Sequence, residues 1–412
     1  MAELDAWFFD HAPGKFPYEA VVRAFHAAGK HFVPADLLRS LSQARSLLPE
    51  LNCPWLEMRT LACFLDVLLD KPDGRYDYPT YLGLSLLQLP AVDDPTLQAP
   101  FTRTRCDRLI VQLAADALQF ELDVADGRIV VLPDLRPGAD VRGKRYRHGL
   151  RAIGPALGRL ALDGRVTAAE PEEAARQSCA VVRADMSFVE RRALLLTVLP
   201  VYTVHDEYLF LRVLQLFETT FALIAVHLRT ALAELDAGRL PLALHFLRTS
   251  TQALTESAPL FSLLATMQVD AFRTFRQFTE GASAIQSRNY KIVESLCRRP
   301  DPGRLDSAAY ESVPEVRVRV LAGQPTLDES CRQARDRGSL TSAQDAELGA
   351  AMTDFAAALR RWRTTHYRLA GRMLGDSTGT GYTEGTPYLA AARTIPVFSS
   401  DGACLDGTVG TP

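Results

Sequence analysis

Hydrophobic positions along this chain repeat mostly at helical spacing. Apolar residues recur three and four positions apart, whereas the alternation that marks a half-buried strand is scarce. In residues 1–94 the pattern predicts short amphipathic helices over 18–28, 35–48 and 56–70, separated by Pro and Gly. A turn-rich stretch at 70–79 then leads into YPTYLGLSLLQL.

The middle of the chain, 95–203, has a less regular pattern. Helices are predicted near 103–120, 145–162 and 168–180. The run GRIVVLPDL at 127–135 is the strand candidate, because the Asp-Gly pair that starts it suits a hairpin turn. We expect this segment to be an irregular, mostly helical part of the chain.

Helical periodicity becomes sharper in the C-terminal half. Residues 205–237 are predicted to form one long helix that ends at Gly238. Its aromatic and aliphatic positions at helical spacing are Phe210, Leu214, Phe217 and Phe221. A polar, Pro-containing linker is expected over 298–330, followed by a last long helix over 342–374 and the glycine-rich GDSTGTGYTEG. We expect the tail at 395–412 to be flexible. The pattern therefore predicts an all-α helix bundle.

Composition narrows the class of protein. The 412 residues are 47% hydrophobic and 23% charged, which is ordinary for a globular chain. The net charge is −3 and no Lys/Arg run is present, so no nucleic-acid partner is expected. The apolar stretch at 193–204 is interrupted by Pro200 and is far shorter than the ~20 residues that span a bilayer, so no membrane is expected.

The cysteines and the N-terminus indicate a compartment. The seven Cys are scattered and form no C-x-x-C pair, which favours reduced thiols over a zinc site or a disulfide framework. The first residues, MAELDAWFFDHAPGKF, lack the basic start and apolar core of a secretory signal. We therefore expect a cytoplasmic protein.

One histidine stands out as a candidate metal ligand. His366 lies within RRWRTTHYRLAGRMLG, with Trp362 four residues before it and Ala370 four residues after. A neutral imidazole that projects from a helix into apolar space is a common way to hold a haem iron. A core or surface histidine is the commoner explanation for any single His, and spacing alone does not exclude it.

Three further patterns have ordinary explanations as well as functional ones. HDE at 205–207 has the H-x-E spacing of a non-haem iron site, although residues that open a helix more simply satisfy its free amides and dipole. Arg273 and Arg276 lie one turn apart, and either is able to clamp a carboxylate or to be a solvated surface arginine. GTGYTEG at 379–385 lacks the Lys-Ser/Thr of a phosphate loop, and its glycines allow either a lid or a flexible exit from the helix.

Four segments, in order, resemble the tryptophan 2,3-dioxygenase family. YDYPTYLGLSLL is similar to the family's Y-x-x-YLxL segment, and HDEYLFLRVLQLFE to its HDE-x-LF helix with a later Q-x-x-E. LLATMQVDAFRTFRQFTEGASAIQS resembles its LETM…DF-x-x-FR…PASGFQS segment. WRTTHYRLAGRMLGDSTGTGYTEG resembles its WRxxH…GTGGSSG segment. The strong matches cover about half of the chain, mostly 205–295 and 355–390. The resemblance implies a helix bundle that encloses haem b and uses O₂.

The resemblance also implies roles for particular residues. His366 is expected to be the proximal haem ligand and Arg276 to bind the substrate carboxylate. Thr380 is expected to hold the substrate ammonium, with the backbone of Gly379 and Gly381 closing the pocket. The substrate is then a small aromatic amino acid, because both of its charged ends have partners.

Other roles concern the distal side and the neighbouring subunit. Phe210 and Leu214 are expected to line the distal pocket, one turn apart on one helix face, and Ser283 to lie near the haem edge. Three residues match positions that reach into the pocket of a neighbouring subunit in the family: Tyr78, Tyr81 and Leu82. A homo-oligomer, either a tetramer or a dimer, is thereby expected.

The chain departs from the family pattern at several points. Leu214 occupies the position of the family's distal histidine, and Ala284 and Ile285 replace a Gly and a Phe. Tyr382 and Glu384 place a bulky and a charged side chain in the glycine-rich segment. About 120 residues separate the YLGL and HDEYLF motifs, so we expect an insertion over 95–203, between an N-terminal segment 1–94 and a haem-binding core 204–394.

The expected reaction is 2,3-dioxygenation of tryptophan, or of a substituted tryptophan, to an N-formylkynurenine. A haem-dependent hydroxylation of an aromatic amino acid in a specialised biosynthetic pathway is the main alternative, because the distal residues differ. A helical binding protein without catalysis is the third hypothesis.

Overall fold

The structure is a computed structural model, which describes residues 2–50, 55–90, 95–375 and 385–399. It is 75% helical, and no strand forms within the described ranges. The prediction of an all-α fold is therefore confirmed.

The helices of the first half are short near the N-terminus and longer afterwards. In chain order they are α1 Ala2–Asp10, α2 Tyr18–Ala28, α3 Ala35–Ser46, α4 Trp55–Leu68, α5 Tyr78–Tyr81, α6 Leu84–Leu87, α7 Pro95–Ala125, α8 Ala139–Arg159, α9 Pro171–Asp185 and α10 Phe188–Leu196. The Ser187 and Glu190 side chains form a capping box that starts α10. The predicted helices of the middle segment are thus present, and the first of them is much longer than expected.

The second half contains the two longest helices. In chain order its helices are α11 His205–Asp236, α12 Leu240–Glu256, α13 Ala258–Leu264, α14 Val269–Arg276, α15 Arg288–Cys297, α16 Pro302–Leu305, α17 Ala308–Glu311, α18 Pro314–Leu321, α19 Leu327–Asp336, α20 Ser342–Leu374 and α21 Thr386–Arg393. Thr341 and Gln344 form the capping box that starts α20. Both long helices lie where their periodicity and end signals predicted them.

The chain divides into two compact units. The first comprises residues 1–89, 110–216 and 263–284, and the second comprises 90–109, 217–262 and 285–412. Each has its own apolar core: Phe25 and Phe64 are buried in the first, Tyr310 and Phe355 in the second. The division falls inside α7 and α11, and the expected boundaries after residues 94 and 203 stay a prediction.

The strand predicted at 127–135 is wrong. This segment is a loop, and its one ladder contact is an isolated bridge between Asp134 and Val204. The Arg136 guanidinium donates to the carbonyl oxygens of Ile129 and Val131, so a side chain satisfies backbone groups that a partner strand would otherwise satisfy. Gly127, at φ +71°, follows the end of α7 and starts no hairpin.

Two other expectations need correction. The predicted linker over 298–330 contains α16, α17, α18 and the start of α19. Of these, α16 and α17 are single helical turns. The flexible tail was expected from residue 395, yet Val397 and Phe398 are 2% and 1% exposed. The Phe398 ring packs 6.3 Å from the Phe355 ring, so these residues belong to the core of the second unit.

By length and composition α11 is apolar enough to cross a membrane, but 89% of its most apolar window is buried inside the protein. A core helix has the same composition, because it is covered on all sides. The burial identifies α11 as a core helix of the protein.

Candidate active site

His366 lies on α20, in the second unit, among aromatic rings. The centroid of its imidazole is 5.3 Å from that of Trp362 and 6.4 Å from that of Phe261. Trp362 in turn packs edge-on against Phe217 and Phe221 of α11. The imidazole is half-buried, and burial lowers its pKa to about 4. The ring is therefore neutral near pH 7 and has a lone pair available.

The donor chemistry of His366 would suit a ligand to haem iron. No residue within the described ranges hydrogen-bonds to the His366 imidazole, so neither ring nitrogen is occupied by a protein partner. The apolar, aromatic surroundings suit a porphyrin face. The described residues also contain no group of three or more His, Cys, Asp or Glu side chains able to hold a metal ion. A single imidazole is the arrangement that haem needs, because the porphyrin supplies the other four ligands.

Arg363, the neighbour of Trp362 in the WRxxH motif, anchors this part of α20. It is 5% exposed, and its guanidinium donates to the Tyr290 hydroxyl at 2.8 Å and to the Ile395 carbonyl at 2.6 Å. The guanidinium also lies 3.6 Å from the Glu294 carboxylate. Because these contacts fix the rotation of α20, they orient the face on which His366 lies.

Phe210 and Leu214 form an apolar, half-open face on α11, in the first unit. All the remaining residues of α11 between Leu209 and Leu228 are buried, whereas Phe210 and Leu214 are partly exposed. The Phe210 ring packs against Phe275 at 5.3 Å and against Phe272 at 5.8 Å. Leu214 lies one helical turn from Phe210 and carries no polar atom, so this face offers no hydrogen bond.

The structure distinguishes the two arginines of α14. Arg273 is exposed, which agrees with a solvated surface side chain. Arg276 is half-buried, and burial lowers its pKa. It follows Phe275, which packs on Phe210 of α11, and these residues all belong to the first unit. Of the two, Arg276 is the less exposed, and its role in binding a carboxylate stays a prediction.

The other residues expected at the site differ in burial, and some of them lie outside the described residues. Ser283 is half-buried near the end of the first unit. Of the residues that replace the family's Gly and Phe, Ala284 is exposed and Ile285 is buried. The substrate-binding expectations for Thr380, Gly379 and Gly381 fall outside the described residues, as do Tyr382 and Glu384.

Three residues that we expect to reach a neighbouring subunit are buried within this single chain: Tyr78, Tyr81 and Leu82. Their exposed fractions are 3%, 5% and 0% in the isolated chain. The Tyr81 hydroxyl donates to the Glu207 carboxylate at 3.0 Å, and the Leu82 carbonyl accepts from the Gln215 side chain at 2.8 Å. These contacts hold Tyr81 and Leu82 within their own chain, and the role of the three residues between subunits stays a prediction.

Glu207 of the HDE motif is a buried structural carboxyl group. It accepts hydrogen bonds from the backbone N–H groups of Val201 and Tyr202, in addition to the Tyr81 hydroxyl. Burial raises the pKa of Glu207 to about 8, although the hydrogen bonds favour the carboxylate. These contacts join α11 to the segment before it and to α5, which leaves no role for Glu207 as an iron ligand.

His205 and Asp206 belong to a buried ionic network that sequence reasoning missed. The Arg145 guanidinium of α8 pairs with the carboxylates of Glu121 and Asp206, both at 2.5 Å, and the His205 imidazole lies 3.2 Å from Glu121. Arg145, His205 and Asp206 are each 0% exposed. The expectation that His205 and Asp206 satisfy the start of α11 is therefore wrong, because they face α7 and α8. The sequence signal available for this network was Arg145, which lies among the apolar positions of α8.

A second network on α11 holds the Q-x-x-E motif. Arg212 donates to Asp116 at 2.7 Å and to the Thr197 hydroxyl at 2.9 Å. Gln215 accepts from Arg212 and donates to the Thr197 carbonyl at 2.9 Å. Glu218, in the second unit, accepts from Asn289 at 3.1 Å. The polar residues of this motif thus fix α11 in place.

No protein-family model matches the sequence. Curated relatives named tryptophan 2,3-dioxygenase do match. The protein of Polaromonas sp. is 26% identical over 250 residues, which are 52% of this chain and 85% of that protein. The protein of Xanthomonas campestris is 26% identical over 227 residues, 47% of this chain and 76% of that protein. The protein of Ruegeria pomeroyi is 27% identical over 266 residues, 55% of this chain and 94% of that protein. This chain is thus a distant relative of proteins named tryptophan 2,3-dioxygenase, with the similarity spread over about half of its length.

Proposed function

We propose that this protein is a haem-dependent oxygenase that acts on L-tryptophan, or on a substituted tryptophan, by 2,3-dioxygenation of the indole to an N-formylkynurenine. The observation that carries the proposal is the neutral imidazole of His366 on an aromatic-lined face of α20, which has no hydrogen-bond partner among the residues that the structure describes. The relatives named tryptophan 2,3-dioxygenase support the choice of substrate and reaction.

His366 would hold the cofactor. Bound haem supplies the iron at which O₂ is activated, and both oxygen atoms enter the product, so the net reaction needs no external reductant. The low pKa of His366 keeps its ring unprotonated and therefore able to ligate iron across the physiological pH range. The aromatic side chains of Trp362 and Phe261 restrict the orientation of the imidazole.

Arg276 would bind the substrate carboxylate. Its guanidinium offers a planar pair of donors that matches a carboxylate, and partial burial strengthens such a contact. Thr380 is our proposed partner for the substrate ammonium, and the backbone of Gly379 and Gly381 would close over it. An amino acid is the substrate class that this set of groups favours.

Phe210 and Leu214 would line the distal side and exclude water. Ser283 would lie at the haem edge. Because Leu214 has no acceptor, the indole N–H of tryptophan loses a hydrogen bond there, and an unpaired buried N–H costs about 1–3 kcal/mol. This favours a substrate whose indole nitrogen is substituted, or one whose N–H is bonded elsewhere.

Leu214 also supports a second candidate function, the hydroxylation of an aromatic amino acid. Such a reaction inserts one oxygen atom, and the other leaves as water after two electrons arrive from an external reductant. Incubation of the haem-loaded protein with tryptophan and O₂, followed by mass spectrometry, separates the two. A gain of two oxygen atoms without added reductant supports dioxygenation. A gain of one oxygen atom, dependent on reductant, replaces it with hydroxylation.

The haem assignment is tested by His366→Ala. We expect this variant to fold, with unchanged far-ultraviolet circular dichroism, and to lose the Soret absorption band after expression with ample haem. His245→Ala is the matched control, because His245 is exposed on α12 and should leave haem content unchanged. Full haem retention in His366→Ala would refute the ligand assignment.

We also propose that the protein works in the cytoplasm as a homo-oligomer, either a tetramer or a dimer. The scattered cysteines support the compartment: five of them are free among the described residues, and four of those five are buried. Sedimentation of the purified protein tests the assembly.

A further inference from the structure

Positive charge is concentrated on α8, in the first unit. The helix contains six Lys and Arg residues and one acidic residue, Asp140, whereas the whole chain has a net charge of −3. One of the six, Arg145, is buried and pairs with the carboxylates of Glu121 and Asp206. The outward-facing charge of α8 is therefore opposite in sign to that of the chain as a whole.

The outer side of α8 carries a row of basic side chains, which we call the basic face: Lys144, Arg147, His148 and Arg151. Residues at these spacings lie on one side of a helix within two turns. The Lys and the two Arg side chains are exposed, and His148 is half-buried. The basic face extends for about 10 Å along the helix axis.

No protein group neutralises the basic face within the described part of the chain. Lys144, Arg147 and Arg151 form no ion pair and no side-chain hydrogen bond there, although Asp140 lies one turn before Lys144. The Nδ1 atom of His148 is buried and has no hydrogen-bond partner. Burial, followed by the charges of Arg151, Arg147 and Lys144, lowers the pKa of His148. The electrostatic field at the centre of the face is therefore positive.

Arginines on the neighbouring helix α9 are arranged differently. Arg176 pairs with Asp126 at 2.7 Å and with Glu172 at 2.8 Å, so its charge is neutralised within the chain. On the basic face, like charges lie three and four residues apart, and such pairs oppose helix formation. A local arrangement that opposes folding and has no internal compensation is typical of a functional surface.

The basic face is also held rigidly. Gly149, on the buried side of α8, lies so close to α7 that an added Cβ would be 2.7 Å from the Leu118 Cδ2 atom. The paired guanidinium of Arg145 joins α8 to Glu121 of α7 and Asp206 of α11. A charged row on such an anchored helix loses little conformational entropy of the backbone when it binds a partner.

The composition of the surface selects the kind of partner. None of the exposed large apolar side chains lies on α8, so the face has no group that stacks on nucleic-acid bases or inserts into lipid. The rest of the chain carries more acidic than basic residues, which disfavours a polyanion much longer than the face. A short row of carboxylates matches the face, because guanidinium groups pair with carboxylates bidentately.

We propose that the basic face of α8 is a docking surface for an acidic helix of a partner protein, whose carboxylates lie on one side at spacings of three and four residues. This interaction goes beyond the proposed function, since no residue of the basic face is among those that we assign to haem or substrate. A failure of either proposal therefore leaves the other in place.

Two synthetic Ala-rich helical peptides of about 20 residues test the surface. Both contain the same number of Glu residues, placed along one side in the first peptide and distributed around the helix in the second. Fluorescence anisotropy with the full chain at low salt should show at least about tenfold tighter binding of the one-sided peptide. Equal affinities would show attraction by bulk charge alone and would overturn the proposal.

Charge reversal locates the contact. Arg147→Glu and Arg151→Glu should each weaken binding of the one-sided peptide at least about tenfold, with circular dichroism and haem content unchanged. Arg147→Gln, which is milder, should weaken it severalfold and replaces Arg147→Glu if that variant does not fold. Arg23→Glu is the matched control, because Arg23 is exposed on α2 in the same unit, and it should bind as the wild type does. Undiminished binding in the variants of α8, or an equal loss in the control, would refute the docking surface.

Competition distinguishes carboxylate from phosphate partners. Single-stranded DNA of about 20 nucleotides and vesicles that contain phosphatidylserine should displace the one-sided peptide poorly. Efficient displacement by either competitor would replace the acidic protein with a phosphate-bearing polyanion and so overturn the proposal. Affinity for the peptide should also fall about tenfold between about 20 and about 200 mM salt, because the contact is between exposed charges. Affinity that does not change with salt would contradict it.

Discussion

At the scale of single residues, burial separates side chains that the sequence presents as equivalent. Arg273 and Arg276 have the same chemistry and lie one turn apart, yet the first is exposed and the second is half-buried. The motif pointed to Arg276, whereas spacing alone did not decide between them. The proposed carboxylate contact therefore has a matched pair of variants.

Arg276→Ala should weaken binding of the amino-acid substrate by about 2–4 kcal/mol, because it leaves a carboxylate without its partner in a partly desolvated pocket. Arg273→Ala should leave the affinity within about 0.5 kcal/mol of wild type, as is usual for exposed positions. Titration of the haem spectrum with tryptophan measures both. Equal losses in the two variants would mean that the pocket lies elsewhere.

Glu207 gives a prediction on pH. Its pKa is raised from the ordinary 4.5 to about 8 in the fold, so between these values the folded chain holds a proton that the unfolded chain releases. Its contribution to stability is thus complete below pH 4.5 and is lost as the pH rises through 8, with a slope of at most about 1.4 kcal/mol per pH unit.

Urea titrations of wild type and Glu207→Gln from pH 5 to pH 9 measure this effect. As the pH rises, the unfolding free energy of Glu207→Gln should increase relative to that of the wild type. The exposed Glu19→Gln serves as control and should follow the wild type throughout. A pH-independent difference between wild type and Glu207→Gln would show that the group is ionised in the fold.

At the scale of elements, the long helices were predictable and the short ones were not. The Thr341 capping box marks the start of α20, and Gly238 marks the end of α11. Elements such as α16 and α17 have four residues, too few for a periodic pattern to emerge from a polar, Pro-containing stretch. The strand predicted at 127–135 does not form. Its β-branched residues suit a strand, but the Arg136 guanidinium donates to two carbonyl oxygens of this loop.

The end of α2 depends on one glycine. Gly29 has φ +77°, and an added Cβ would lie 2.7 Å from the Tyr202 Cα and 2.9 Å from the Val201 carbonyl oxygen. Gly74 has a similar φ of +69° but open space around it. Gly29→Ala should therefore lower the unfolding free energy by about 3 kcal/mol or more and Gly74→Ala by about 1 kcal/mol. Urea unfolding compares them, and similar losses would contradict the close approach.

At the scale of the whole molecule, the sequence indicated the class of fold and the helix that carries His366, but not the long-range polar contacts. Periodicity predicted an all-α chain, and the motif around His366 indicated a helix face that the structure lines with aromatic rings. The pairing of Arg145 with Glu121 and Asp206 joins positions 24 and 61 residues apart. Such pairs depend on how helices pack, and no local pattern records that.

The residues between the YLGL and HDEYLF motifs have become indispensable to the helix that they flank. Arg145, Glu121, Asp116 and Thr197 from this stretch satisfy buried charged and polar groups on α11, including Asp206 and Arg212. Excising the stretch would leave several of these groups without partners in a dry interior. Removing one partner of a buried ion pair costs about 3–5 kcal/mol, and a whole domain is stable by only about 5–15 kcal/mol. A version of this protein without the stretch is therefore expected to be insoluble.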